Sequence, residues 1–376
     1  MAHVFIVDEK TIKVHLKYLF AGTGAKDYDC NFLFDSNVEI KPTVERLLSG
    51  MVADISRIRK GDNILFYLQQ SSKHEGMFFG SFKAVSEPFL CTDNYLEPKL
   101  EKHLTFRVLI EPDEVYQKGI TERDCLDSLA GISHPSEMCW SLIYRKLKAN
   151  RGCTMITDYE YESIMAKIRN INTKPISNNS LDYDPSNYEI CSSSEKEEYK
   201  GKMKSLDIKN RLLYKQNRNN SYESHLQAYI LQNLENIPTL PVIDSPITWI
   251  GNEVSCGVGM QSIDVAFIQE TKNEAHFIIC ELKDEQPIEY IKKQIEKYVQ
   301  WMKEYIIPTY DKKVVIHPTI VAPKPKERTL EMFNSIKEST IFRSSILDIN
   351  EIRYIGFTIK DKNITFEEVT DEETGI

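Results

Sequence analysis

Short runs of branched and aromatic residues, bounded by Gly, Asp, Asn or Pro, recur through the first part of the chain: Val4 to Val7, Asn63 to Leu68, Met77 to Ala84 and Phe106 to Ile110. Each is predicted as a β-strand, because such residues fit a pleated, half-buried surface and the flanking residues break it. Val44, Leu47, Leu48, Met51, Val52, Ile55 and Ile58 instead recur at three- and four-residue spacing, which predicts an amphipathic helix. The compact turn Lys60-Gly61-Asp62-Asn63 then leads into the next strand. A strand-rich, barrel-like α+β domain is expected.

The rhythm changes further on. A helix is predicted from Tyr222 to Asn233, with Ser221 as its N-cap and Leu226, Ile230 and Leu234 on one face. Strands follow at Ser262 to Ile268 and His276 to Leu282, separated by a polar turn. A long helix then runs to about Ile306, its buried stripe made of Ile288, Ile291, Ile295, Tyr298, Val299 and Met302. Val314 to Val321 and Arg353 to Ile359 are further strands, and the order predicts an α/β layer architecture. The stretch from Asn170 to about Glu198 is rich in Asn, Ser, Asp and Pro and has no apolar period, which predicts a linker. The expected organisation is a first domain over 1–170, a polar then basic linker over 171–219, a second domain over 220–360 and an acidic tail over 361–376, solvated and disordered from Glu367.

Composition agrees with two cores: 376 residues, 41% hydrophobic and 27% charged. No apolar run approaches the roughly eighteen residues of a membrane span, and the first residues lack a basic segment followed by an apolar one. Neither a transmembrane helix nor a signal peptide is expected, and no membrane partner. The eight cysteines form no C-x-x-C pair and have no companion histidines at zinc spacing, which fits a reduced, cytoplasmic protein. A net charge of −9 argues against binding nucleic acid by bulk charge alone. The run Lys200, Lys202, Lys204, Lys209, Arg211, Lys215 and Arg218, interrupted by Asp207 alone, is the expected phosphate-contacting surface.

The informative chemistry is Asp264 inside one predicted strand and Glu281-Leu282-Lys283 at the end of the next. Alternation along a strand points Glu281 and Lys283 to the same side, and acids on adjacent strands can meet. Burying such charges costs several kcal/mol unless they are paired or hold a metal, so the pair suggests a hard divalent cation such as Mg²⁺. A lysine beside that ion can orient or help deprotonate a water. Glu223 on the first helix could add a ligand, directly or through water. Gln294 and Tyr298 lie four apart on the sheet-facing side of the long helix, where polar groups need partners.

In this order, Glu223, Asp264, Glu281-Leu282-Lys283 and Gln294-Ile295-Glu296-Lys297-Tyr298 resemble the PD-(D/E)xK nuclease superfamily, the Q-x-x-x-Y element being similar to its RecB-like and NucS-like branches. The similarity covers roughly residues 220–325. It implies a restriction-endonuclease-like fold and Mg²⁺-dependent phosphodiester hydrolysis, with Mn²⁺ as a substitute. Asp264 and Glu281 would be metal ligands, Lys283 the catalytic lysine, Glu223 the helix acid, and Gln294 with Tyr298 an accessory pair. One departure is Ile263, where many members carry proline before the Asp.

The run Arg59 to Tyr67, followed by Gly76 to Val85, with the later Trp140 to Tyr144 and Arg151 to Glu160, is similar to the PUA-like superfamily, which includes EVE, ASCH and YTH domains. That resemblance, over about residues 1–170, implies a pocket for a flipped and often modified base, stacked between aromatic side chains. Trp140, Tyr28, Tyr67, Phe79 and Tyr144 are the candidates to line it. Together the two resemblances imply a Mg²⁺-dependent endonuclease directed to modified double-stranded DNA by a base-flipping reader, as in modification-dependent restriction enzymes. The alternatives are a NucS-like repair or structure-specific nuclease, and a non-enzymatic reader with an inactive nuclease fold. A double-strand cut requires two active sites, hence a homodimer.

Overall fold

The computed structural model describes residues 1–24, 33, 38–93, 95–127, 131–133, 152–195, 197–218, 220–256 and 261–370, and the chain divides into two units, residues 1–207 and 208–376. None of the helices among the described residues is long and apolar enough to cross a membrane.

The first unit begins with β1 (Ala2–Val7) and α1 (Glu9–Tyr18). Asp8 starts that helix: its carboxylate accepts the Thr11 N–H at 2.7 Å, and its own N–H donates to the Thr11 hydroxyl at 2.9 Å. β2 (Phe20–Thr23), α2 (Pro42–Ser56), β3 (Asn63–Leu68), β4 (Met77–Ala84), β5 (Phe89–Cys91), α3 (Glu97–Leu100), β6 (Phe106–Thr121), α4 (Glu122–Leu126), β7 (Cys153–Ile156) and α5 (Asp158–Ile171) follow. The buried face of α5, with Tyr161, Ile164, Met165 and Ile168, packs on Val4, Leu65, Tyr67, Phe78, Tyr116 and Ile120 from the sheet.

The predicted strand at 106–110 is the start of β6, which has 16 residues. Beyond Ile110 it carries the exposed residues Glu111, Asp113, Gln117 and Lys118, so no continuous apolar run betrays it. β6 pairs with β2 and β5 near its start and with β4 along much of its length. Gly80 makes the bend in β4 sterically feasible: it sits at φ +134°, and a Cβ there would lie 2.1 Å from the Glu114 carbonyl oxygen. With β10 at Met203–Ser205, the sheet runs β10-β5-β6-β4-β3-β1-β7, its outer strands unpaired with each other among the described residues. It is therefore open, not the barrel that was expected.

The expected linker also folds differently. β8 (Leu181–Asp184) and β9 (Glu189–Ser192) form an antiparallel hairpin, β9 touches β6 through Lys118 and Glu189, and β10 (Met203–Ser205) pairs with β5. Leu181 and Tyr183 are each 1% exposed and Ile190 2%. These few apolar positions alternate inward over strands of four residues, too short a pattern to stand out among Asn, Ser and Asp.

The second unit contains α6 (Lys209–Asn217), α7 (Glu223–Asn233), β11 (Ile247–Cys256), β12 (Gln261–Glu270), β13 (Glu274–Leu282), α8 (Tyr290–Tyr305), β14 (Lys313–Pro323), α9 (Glu327–Ile336), β15 (Phe342–Arg343), β16 (Leu347–Ile349), β17 (Arg353–Lys360) and β18 (Asn363–Glu368). β11, β12 and β13 are antiparallel, whereas β14 is parallel to β13 and α8 supplies the crossover that such a pair needs. β13 is buried from Ala275 through Leu282, which marks it as a strand covered on both faces. The expected acidic tail is ordered in part: β18 pairs with β17, and the Glu368 carboxylate accepts two 2.8 Å bonds from Arg353. A bidentate ion pair neutralises an acid that composition alone reads as solvated. Residues 371–376 lie outside the described residues.

Replacing Tyr183 tests the ordered hairpin. Its ring meets Phe79 edge-on, 6.1 Å between centroids, and its buried hydroxyl has no partner among the described residues. Tyr183→Ala is expected to cost about 3 kcal/mol or more and to lower the melting temperature of the full chain by several degrees in calorimetry. Tyr183→Phe should leave it unchanged or slightly higher, since an unpaired hydroxyl is removed. An unaltered melting curve for Tyr183→Ala would restore the linker reading.

Candidate active site

Three elements of the second unit converge at the C-terminal end of β13. Val265 pairs with Cys280, so one step further along the same register Asp264 of β12 stands opposite Glu281 of β13. The Leu282 N–H donates to Asp264 Oδ2 at 2.7 Å, leaving Oδ1 without a partner among the described residues. Glu281 is only 3% exposed, yet both its oxygens are engaged. Lys283 Nζ donates to Oε1 at 2.6 Å, Gln294 Nε2 to Oε1 at 2.8 Å, and the Tyr298 hydroxyl to Oε2 at 2.7 Å. The sequence-derived accessory pair thus meets the E-x-K strand, because i and i+4 on α8 face β13 together.

Glu223 opens α7, and its Oε2 lies 3.9 Å from Lys283 Nζ. The expected N-cap, Ser221, does not cap this helix. Asp284 does so from elsewhere in the chain: its Oδ2 accepts the N–H groups of Tyr222 and Glu223 at 2.7 and 3.2 Å and the Ser221 hydroxyl at 2.7 Å. One residue beyond the E-x-K motif therefore fixes the helix that carries Glu223. Gln227, one turn along α7, donates to the Asp264 carbonyl at 2.9 Å and ties that helix to β12. Glu253 of β11, at φ +48°, accepts from Ser262 at 3.0 Å and from Gln227 at 3.4 Å. Sequence reasoning missed Gln227, Glu253 and Asp284, since their roles are set by partners on other elements.

Electrostatics assigns protonation states. Burial, and then the Glu281 charge, push Asp264 well above the usual carboxylate range, against the Leu282 N–H, which lowers it. Burial alone would lower Lys283, but the charges of Glu281, Glu223 and Asp264 outweigh it and hold the ammonium above its ordinary value. Burial and the neighbouring Glu281 charge raise Tyr298, so it is a neutral donor. The site pairs one firmly protonated lysine with a buried carboxyl, Asp264, that resists ionising.

Among the described residues, no three His, Cys, Asp or Glu side chains are grouped so as to hold a metal ion by themselves. Asp264 and Glu281 nevertheless fit Mg²⁺, which commonly takes one or two carboxylates and completes its octahedron with water and substrate phosphate. A cation would also relieve the repulsion that raises Asp264.

The other candidates fare differently. Tyr28, Trp140 and Tyr144 lie outside the described residues. Tyr67 and Phe79 are 2% and 4% exposed, Tyr67 bonded through its hydroxyl to Glu122 at 2.6 Å, so both are core aromatics with no open face for a base. The basic run is divided between the two units. Lys200, Lys202 and Lys204 belong to the first unit and are exposed, whereas Lys209, Arg211, Lys215 and Arg218 belong to the second, on and just after α6. Arg211 and Lys215 are buried, at 2% and 8% exposure, because helical spacing turns them inward beside Leu212. Arg211 and Arg218 both lie over the Tyr214 ring, at 4.6 and 4.5 Å.

No protein-family profile and no functionally curated protein matches the sequence. Solved structures similar to part of the chain include a hypothetical protein from Leishmania major, at 12% identity and TM-score 0.29 over 46% of this chain and 97% of that one. A Pseudomonas syringae protein is similar at 12% identity and TM-score 0.28 over 45% of this chain and 99% of that one. Human THYN1 protein, solved in complex with 5-methylcytosine-containing DNA, is similar at 10% identity and TM-score 0.26 over 44% of this chain and 96% of that one. Identities and TM-scores at this level do not fix a shared fold or function.

Proposed function

We propose that the chain is a Mg²⁺-dependent deoxyribonuclease whose second unit hydrolyses DNA phosphodiester bonds, directed to modified double-stranded DNA by its first unit. The observation that carries this reading is the buried Glu281 carboxylate held by Lys283, Gln294 and Tyr298 beside Asp264. Five residue types that the PD-(D/E)xK resemblance singles out meet within hydrogen-bonding reach or stand side by side in register. The reader role rests on the resemblance of residues 59–67 and 76–85, whose strands are observed as the antiparallel pair β3 and β4.

In this reading Asp264 and Glu281 would hold Mg²⁺, which supplies a Lewis acid for the phosphate and an acidified water when bound. Lys283, being protonated, donates to a phosphate oxygen and balances developing negative charge instead of acting as a base. Gln294 and Tyr298 fix the rotamer of Glu281, and Glu223 keeps the Lys283 ammonium over the site. The direct test is digestion of matched plasmids that are unmodified, cytosine-methylated, hydroxymethylated, glucosylated or adenine-methylated. Cutting of a modified plasmid with Mg²⁺, blocked by EDTA, is expected; no cutting of any plasmid with Mg²⁺ or Mn²⁺ would sink the reading.

Five variants probe the centre. Asp264→Ala, Glu281→Ala or Lys283→Ala should abolish cleavage in a plasmid assay while DNA retention in a gel shift persists. Tyr298→Phe removes one bond to Glu281 and should lower the cleavage rate about 10- to 100-fold, as losses of supporting partners do. Asp264→Asn should raise thermal stability in EDTA at neutral pH. A carboxyl raised above its unfolded value of 3.8 contributes stability that is fully present below that value and lost as pH rises through the folded pKa, and Asn avoids that loss. The advantage should therefore fade as the pH falls towards about 4, and Mg²⁺ should narrow it by stabilising the wild type alone. Identical melting of both proteins at neutral pH in EDTA would mean that Asp264 ionises freely.

A further inference from the structure

Two large apolar side chains are exposed immediately beyond the E-x-K strand: Ile288 at 71%, which precedes α8 and so does not join the buried stripe expected of it, and Tyr290 at 51%. Their loop is not loosely held. Asp284 is pinned to the start of α7, and Gln286 bridges the next loop, donating to the Lys324 carbonyl at 3.1 Å and accepting the Lys326 N–H at 3.1 Å. The loop is thus tied on both sides while Ile288 and Tyr290 face outward. Tyr290 is the first residue of α8, and Tyr290, Gln294 and Tyr298 follow one another at i, i+4 and i+8. The second and third of these hold Glu281. Tyr290 therefore lies one helical turn before Gln294, which holds the Glu281 carboxylate, and its hydroxyl has no hydrogen-bond partner among the described residues. On the same side of the helix Lys293 and Lys297 are exposed, and the loop that Gln286 holds carries exposed Lys326 and Lys324, the latter paired with Glu367 at 3.7 Å. An aromatic face beside ammonium groups suits a nucleotide, whose base stacks and whose phosphate is neutralised.

We propose that Tyr290, with Ile288 beside it, is a stacking platform for a base next to the scissile phosphate, so that the substrate of this site is DNA with a base unstacked at the cut. This rests on the nuclease reading but has its own readout. The full chain is titrated, in EDTA, into a single-stranded oligonucleotide carrying 2-aminopurine, whose fluorescence reports base stacking, and into the matching duplex with and without an unpaired bubble. Wild type should bind the single strand and the bubble more tightly than the intact duplex, with a change in fluorescence. Tyr290→Ala should lose about tenfold or more of that affinity, and Tyr290→Phe, which keeps the ring, should retain it. Equal affinity of wild type and Tyr290→Ala, or an equal loss in Tyr290→Phe, overturns the platform. If the stacking signal depends on Tyr290 but no DNA is cut with Mg²⁺, the hydrolytic reading fails and the platform stands. If DNA is cut while Tyr290→Ala binds and cuts like wild type, the reverse holds.

Discussion

A carboxylate buried in a strand covered on both faces is the constraint from which the second unit can be understood. Glu281 loses its water on folding, and an ionised group in that position is tolerable only if its oxygens are hydrogen-bonded and its charge balanced. Lys283, Gln294 and Tyr298 do this together, which sets the phase of α8 against β13 and places its remaining inward positions, Ile291 and Ile295, in the core. Had α8 been turned by one residue, a polar pair would point away from the strand and Glu281 would keep Lys283 alone of its three donors. Chemistry and packing are here one arrangement.

The same end of the sheet gathers the rest. Asp284 leaves the strand and at once caps α7, so that the helix acid Glu223 is positioned by the residue following the motif lysine. Gln227 then couples α7 to the backbone of Asp264 itself. The cost of this organisation falls on Asp264, which is pushed towards its neutral form by burial and by Glu281. A site that destabilises its own empty state is what a cation-binding centre would require, since the binding energy of the ion then offsets the repulsion.

In the first unit, polar composition hides structure. A hairpin of eight strand residues needs only Leu181, Tyr183 and Ile190 inside to stay on the surface of β6 and α1, and everything between can remain Asn, Ser and Asp. Arg107 shows the converse: a charged residue inside an apolar strand is accommodated between Phe20 and Tyr199, 4.7 and 5.7 Å from their rings, while donating to the Leu104 and Tyr95 carbonyls.

Strands with strong local patterns were legible from residues alone: Asn63–Leu68 and Met77–Ala84 fall where apolar, branched and aromatic residues cluster between breakers, and the long helix shows its stripe from Ile291 to Met302. The meeting of Asp264, the E-x-K strand end and the Gln-Tyr pair was legible too, because the order strand, strand, helix brings them to one end of the sheet. Neither spacing nor composition could show that Asp284 caps α7, that Arg211 and Lys215 turn inward, that Glu367 and Glu368 belong to a strand, or that the first sheet stays open. Each of these depends on partners distant in sequence. Local periodicity decides which face of a segment is apolar, whereas the partner of a polar group is settled only when that face meets another element.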